Sequence, residues 1–216
     1  MMIVQRANIP LIALMLFLLG LMGCETLQTL GKEHRENLTF HVEKAQTEQE
    51  EAKQQFQTTY QEFKSLVNYD GGDWEAKYYQ LQDQYDACED RAEGVGDRIR
   101  KIERVAGKLF MEWEQELAQY HSRQLRESSE DMLVKTKQKY RNFLLSMKRA
   151  EAKMQPVLLV FADQVLFLKH NLNANAVASL QTTVIELRDD VSDLVEDLET
   201  SIADAKQFIQ SMQNAS

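Results

Sequence analysis

From Trp74 to Trp113 the apolar residues recur in steps of four and three without a gap. They are Trp74, Tyr78, Leu81, Tyr85, Cys88, Ala92, Val95, Ile99, Ile102, Ala106, Leu109 and Trp113, with Tyr120 extending the line past Glu116. A 3.5-residue repeat keeps one stripe of a helix turned towards a neighbour, so it predicts a long helix packed on others, roughly 70 Å from Asp73 to Tyr120. Cys88 lies on this stripe and reads as a small core residue. Two prolines and eight glycines in 216 residues leave few places to interrupt such a pattern.

Three more stripes follow the same rhythm. Leu38, Val42, Ala45, Gln49, Ala52, Phe56, Thr59, Phe63 and Leu66 form a first one, built from smaller residues. Tyr140, Phe143, Met147, Ala150, Met154, Val157, Phe161 and Leu168 form a third, within a helix expected over 129–171. Pro156 falls inside that helix and should kink it, because its ring blocks the bond to the Ala152 carbonyl. The last stripe is Val177, Leu180, Val184, Leu187, Val191, Leu194, Leu198, Ser201, Ala205, Phe208 and Met212. Turns are expected at 68–73, with Asp73 as a helix cap, at the polar joint 121–128, and at 171–173. Short joints make consecutive helices antiparallel. The expected fold is therefore all-α, an elongated antiparallel up-down-up-down four-helix bundle with coiled-coil-like heptad packing. A longer hairpin that completes its core as a homodimer is the alternative. Charge supports the folding back: Lys153 comes level with Asp193, and Lys148 with Leu198 between Asp197 and Glu199, which argues for register more than for stability.

The N-terminus has a different character. Arg6 precedes an apolar run from Ile9 to Gly23, too short for the roughly 20 residues that span a bilayer and suited to a secretory signal. Its end, Leu21-Met22-Gly23-Cys24, resembles the bacterial lipoprotein cleavage box, in which the cysteine after the cut carries acyl chains. Met22 is an unusual choice at its place, and a signal anchor with an incidental cysteine is the competing reading. The division expected is 1–23 as lipoprotein signal peptide, 24–31 as a short membrane tether and 32–216 as one helical-bundle domain. Glu25 stands where an aspartate would favour inner-membrane retention in similar Gram-negative lipoproteins. Its presence points to the periplasmic face of the outer membrane. Several acyl chains on Cys24 would make release negligible, since each buried methylene contributes about 0.8 kcal/mol.

Without residues 1–23 the chain carries 24 basic and 34 acidic side chains, a net charge of −10. A nucleic-acid partner is not expected from an acidic chain, nor is broad adhesion to anionic lipid. After lipidation Cys88 is the one thiol left, so no disulfide framework is expected.

Phe63-Lys64-Ser65-Leu66-Val67-Asn68-Tyr69-Asp70-Gly71-Gly72-Asp73, Glu112-Trp113-Glu114-Gln115-Glu116-Leu117 and the run from Arg149 to Gln181 resemble a family of Gram-negative proteins catalogued as domain of unknown function 2959. The resemblance covers almost all of the chain after Gly23. It implies a helical, membrane-tethered protein and supplies no activity, cofactor or functional residues.

Chemistry is sparse. The residues three before His34, His41, His121 and His170 are Gly31, Leu38, Ala118 and Phe167, so the Glu-x-x-His pair of a di-metal bundle is missing. No phosphate-cradling Gly-Lys-Ser/Thr loop and no strained nucleophile turn occurs. No enzyme, metal or cofactor is expected. Two features exceed a plain bundle. Residues 156–168 are apolar on nearly every side, which predicts a helix buried all round, or one touching a partner or acyl chains. The turns at 68–73 and 169–173 should share the end away from the membrane, gathering Tyr69, Asp70, Trp74, Lys169, His170 and Asn171 as a contact surface for an envelope protein or peptidoglycan; the alternative for these residues is turn-making and capping. At the opposite end Arg123 and Arg126 should lie near lipid headgroups.

Overall fold

The computed structural model describes residues 10–69 and 71–213, with side chains from residue 33 onward. Five helices follow one another: α1 (Pro10–Leu66), α2 (Trp74–Leu117), α3 (Arg123–His170), α4 (Ala174–Ser179) and α5 (Gln181–Gln213). The described residues contain no strand. α1 and α3 each pack against both α2 and α5, which makes an all-helical bundle around one core.

The expected stripes are that core. Every residue of the α1 stripe from Leu38 to Leu66 is buried, as is every residue of the α3 and final stripes. On α2, Trp74, Tyr85 and Ala92 are only partly covered, and Tyr120 lies beyond the helix end and is exposed. Phe161 of α3 reaches across the core to stack on Phe63 of α1, with centroids 5.1 Å apart, and meets Phe56 at 6.3 Å.

Polar contacts set the levels at which the helices meet. Residue numbers rise along one helix as they fall along its neighbour. Gln55 donates to Gln84 at 2.8 Å, Arg98 to Glu48 at 3.1 Å, and His34 faces Glu112 at 3.2 Å. Trp113 Nε1 donates to Ser129 Oγ at 2.9 Å, and Lys148 pairs with Glu103. Phe143 stacks on Phe208 at 5.6 Å, and Lys153 Nζ lies 2.9 Å from Asp197 and 3.7 Å from Asp193. Inside the core Gln49 and Ser201, both fully buried, exchange hydrogen bonds at 2.9 and 3.1 Å. A slipped register would strand that amide without a partner, at about 1–3 kcal/mol, so the pair selects one alignment of α1 and α5.

Several expectations need correcting. The joint between α2 and α3 is not 121–128: Ser122, in extended backbone, caps α3 by accepting from the Leu125 N–H, so the helix starts at Arg123. Ser129 lies inside α3, where its hydroxyl accepts from the Trp113 indole N–H. Lys148 does not meet Asp197 and Glu199. Five residues before Lys153 it stands well over a quarter-turn around the helix, on the side facing α2. The final helix is divided at Leu180, with Asn173 capping the short α4 through the Ala176 N–H at 3.0 Å. The continuity of α3 through Pro156 leaves the expected kink untouched, since a kinked helix also keeps helical backbone; Pro156 is exposed, so water can reach the Ala152 carbonyl that the ring deprives of its partner. Residues 156–168 are not buried all round. Val157, Leu158, Phe161, Val165 and Leu168 are buried, but Leu159 and Leu166 are each 58% exposed.

Two substitutions separate core from surface. Phe161→Ala empties the space between Phe56 and Phe63 and is expected to cost about 3–5 kcal/mol. Gly107→Ala is expected to stabilise by about 0.5–1 kcal/mol, because an added Cβ meets nothing within 4 Å on an exposed helical face. Urea unfolding followed by circular dichroism reads both.

Candidate functional site

α1 tightens as it ends: the Asn68 and Tyr69 N–H groups reach the Ser65 and Leu66 carbonyls, three residues back. The turn is then held by Tyr69. Its ring meets Trp74 edge-on, centroids 5.0 Å apart and planes at 87°. The Asp73 N–H donates to its hydroxyl at 3.4 Å, and the Lys77 ammonium lies 5.7 Å from its ring. Asp73 Oδ1 accepts from the Ala76 N–H at 3.0 Å, the cap expected for α2. Gly71 matters through space rather than through backbone angle. No described glycine has positive φ, but a Cβ here would run into the Tyr69 ring. Asp70 lies outside the described residues.

The second turn is a capping structure. Asn171 closes α3, its Nδ2 donating to the Phe167 carbonyl at 2.9 Å and its backbone N–H to Leu168 at 3.1 Å. Lys169 and His170 are exposed in the last turn, where positive charge suits the helix C-terminus. Tyr69 comes six residues after Phe63, and His170 nine after its stacking partner Phe161, with α1 and α3 both falling in number against α2. Both turns therefore leave the core at one end. They remain two clusters: no described contact joins Tyr69 or Trp74 to Lys169, His170 or Asn171. Arg123 and Arg126 occupy the first turn of α3 at the other end, Arg123 Nε donating to Glu127 at 2.7 Å.

Cys24 stands in the helical backbone of α1, and so do residues 24–31; their side chains lie outside those described. Cys88 is buried 3.1 Å from the Thr59 hydroxyl, and desolvation pushes its thiol up to about 12. That thiol stays protonated and unreactive near neutral pH. His41 is held below its usual value by partial burial and by Lys101 and Arg98. Among the described residues no three His, Cys, Asp or Glu side chains gather as a metal cluster, and no helix is long and apolar enough to cross a membrane.

Sequence reasoning did not find two surface features. An open groove of about 440 Å³ between α1 and α5 is lined by Gln57, Tyr60, Gln61, Arg188, Val191 and Val195, a mixture without a motif. Arg35 lies 4.6 Å over the Trp113 ring, locking α1 to the far end of α2. The spacing of the heptads carried that level but not the pairing.

The Tyr69 hook yields a direct test. Gly71→Ala is expected to drive Tyr69 off Trp74, shifting Trp74 near-ultraviolet dichroism and costing about 0.5–1.5 kcal/mol, with helix content unchanged. An unchanged aromatic signal would show that the ring contact does not organise the turn.

No curated protein and no solved structure matches this chain. A family model described as protein of unknown function (DUF2959) matches residues 24–212, and the chain belongs to that family.

Proposed function

We propose that this protein is a non-enzymatic lipoprotein of the bacterial envelope, tied to a membrane through acylated Cys24. In this reading α1, α2, α3 and α5 form an antiparallel up-down-up-down four-helix bundle, with α4 as the elbow into α5. Its far turns, carrying Tyr69, Trp74, Lys169, His170 and Asn171, meet another envelope protein or peptidoglycan. The observation that carries the reading is the continuity of α1. One helix runs from Pro10 to Leu66, so the backbone that holds Cys24 is the backbone that supplies the Leu38–Leu66 stripe. A stalk without a hinge suits a module that holds a surface at a set height. The family match gives further support, since it begins at Cys24, the residue that cleavage would leave first.

The alternative, a bundle that opens to acyl chains along residues 156–168, has less support. The inward side of that segment is filled by Phe161 against Phe56 and Phe63, and a chain entering there would displace the core. Attachment to the outer membrane, on its periplasmic face, rests on Glu25.

Two arms test the proposal in living cells. Metabolic labelling with an acyl-chain analogue is expected to mark the wild-type chain and not Cys24→Ser, which should leave the membrane fraction. A photo-crosslinking residue at Tyr69 is expected to give a discrete adduct, while the same residue at Glu103, on the bundle side, gives none. Equal membrane recovery of Cys24→Ser would contradict the anchor. Adducts at neither position would contradict the far-end contact.

A further inference from the structure

His34, His41, Glu48 and Gln55 of α1 are a heptad apart along the seam with α2. Three of them are matched across it: His34 faces Glu112 at 3.2 Å, Glu48 accepts from Arg98 at 3.1 Å, and Gln55 donates to Gln84 at 2.8 Å. His41 differs. Its Nδ1 is shut off from water and has no hydrogen-bond partner, and the same holds for Arg98 Nε on the facing helix. Its ring meets half-exposed Phe40 edge-on, centroids 5.4 Å apart. The His34–Glu112 and Glu48–Arg98 pairs put His41 level with Val105. Within a turn of that level α2 carries Lys101, Arg104 and Lys108, and its carboxylate, Glu103, is taken by Lys148 of α3. α1 adds Lys44, over the Phe40 ring, and Glu43, which two residues along the helix is turned away. The Gln49–Ser201 contact brings residues 205–213 of α5 to this level, and the charge among them is Lys206. An imidazolium here would thus meet Lys101 and Arg98 across the seam and Lys44 on its own helix, with Glu48 already engaged.

We propose that this seam is an acid-sensitive joint: when His41 takes up a proton, α1 loosens from α2 between His41 and Glu48 while the rest of the bundle stays closed. The imidazolium is accommodated by turning outwards past Phe40, or by drawing Glu48 away from Arg98. The second course leaves a part-buried guanidinium without its carboxylate, and either one opens the seam. The direction of titration agrees with the geometry. Partial burial, then Lys101 and Arg98, hold His41 below its usual 6.5. A base whose pKa is lower in the folded chain than in the unfolded one binds more protons when unfolded. Its contribution to stability is therefore complete above about pH 6.5 and is lost as pH falls below that. The rest of the core has no such group: the Phe63–Phe161 and Phe143–Phe208 stacks and the Gln49–Ser201 exchange bind no proton in this range. The joint belongs to the packing of the chain itself, so it holds whether or not Cys24 is acylated.

The test follows the full chain by nuclear magnetic resonance between pH 7.5 and 5.5, a range in which ordinary carboxylates stay ionised. The His41 imidazole is expected to titrate below 6.5, and Lys101→Gln is expected to move its midpoint upwards. Amide protection factors, which divide out the intrinsic pH dependence of exchange, are expected to fall severalfold at Val42 and Ala45 and to hold at Leu194 and Leu198. Linkage caps that fall at about tenfold at pH 5.5, one unit under the usual value. His41→Gln, neutral throughout, is expected to abolish it. A wild-type midpoint at or above 6.5, or one that Lys101→Gln leaves in place, would overturn the proposal. So would the same loss of protection in His41→Gln, and so would a loss shared equally by Leu194 and Leu198, which would mean acid unfolding of the whole bundle.

Discussion

Four apolar stripes of unequal length have to share one core, and most of the molecule follows from that constraint. Where all four overlap, the stripes close on each other and the aromatic residues meet face to face, as Phe63 does with Phe161 and Phe143 with Phe208. Apolar contacts alone tolerate a slip of one heptad. The buried exchange between Gln49 and Ser201 does not, because an amide moved into a ring of leucines loses its partner. With register set there, the turn after α1 comes to one end of the bundle, where the Tyr69–Trp74 contact closes it.

The fold was legible in the sequence to the extent that it is periodic. A 3.5-residue stripe states which side of a helix is inward, and the Leu38–Leu66 and Val177–Met212 lines turn out buried residue for residue. Asp73 was readable as a cap because glycines precede it and an apolar stripe begins next to it. Ser122 was not, since Ser128 and Ser129 offer the same capping hydroxyl a few residues later and spacing alone does not choose among the three. Lys153 does reach Asp193, at 3.7 Å, but its nearer partner is Asp197 at 2.9 Å, and Lys148 pairs with Glu103 instead. Level along the axis follows from counting back from the turn, whereas direction around the axis needs the bundle. The exposed Leu159 and Leu166 show the same limit: a helix with apolar residues on every side does not say which of them the neighbours leave bare.

The candidate site was half legible. The turn residues could be named from composition, and the structure brings both turns to one end. The edge-on Tyr69–Trp74 pair depends on the crowding of Tyr69 against Gly71, which no spacing rule conveys. Lys169, His170 and Asn171 form a separate capping cluster beside it. In chemical terms the described residues at this end offer aromatic faces and exposed donors. Cys88, away from it in the core, is buried and its thiol is pushed up to about 12.

The central claim is that the chain is a rod held at one end by a membrane, with the Tyr69 turn kept away from it. The most direct measurement is resonance energy transfer to acceptors in the vesicle surface. A donor at Gly72→Cys, an exposed position with nothing within 4 Å, is compared with one at Arg123→Cys in the lipidated chain. The account predicts efficient transfer from residue 123 and weak transfer from residue 72, tens of ångströms further out, towards the roughly 50 Å that the helix between His34 and Leu66 spans. Equal transfer from the two positions would mean a bundle lying flat on the lipid, and would contradict it.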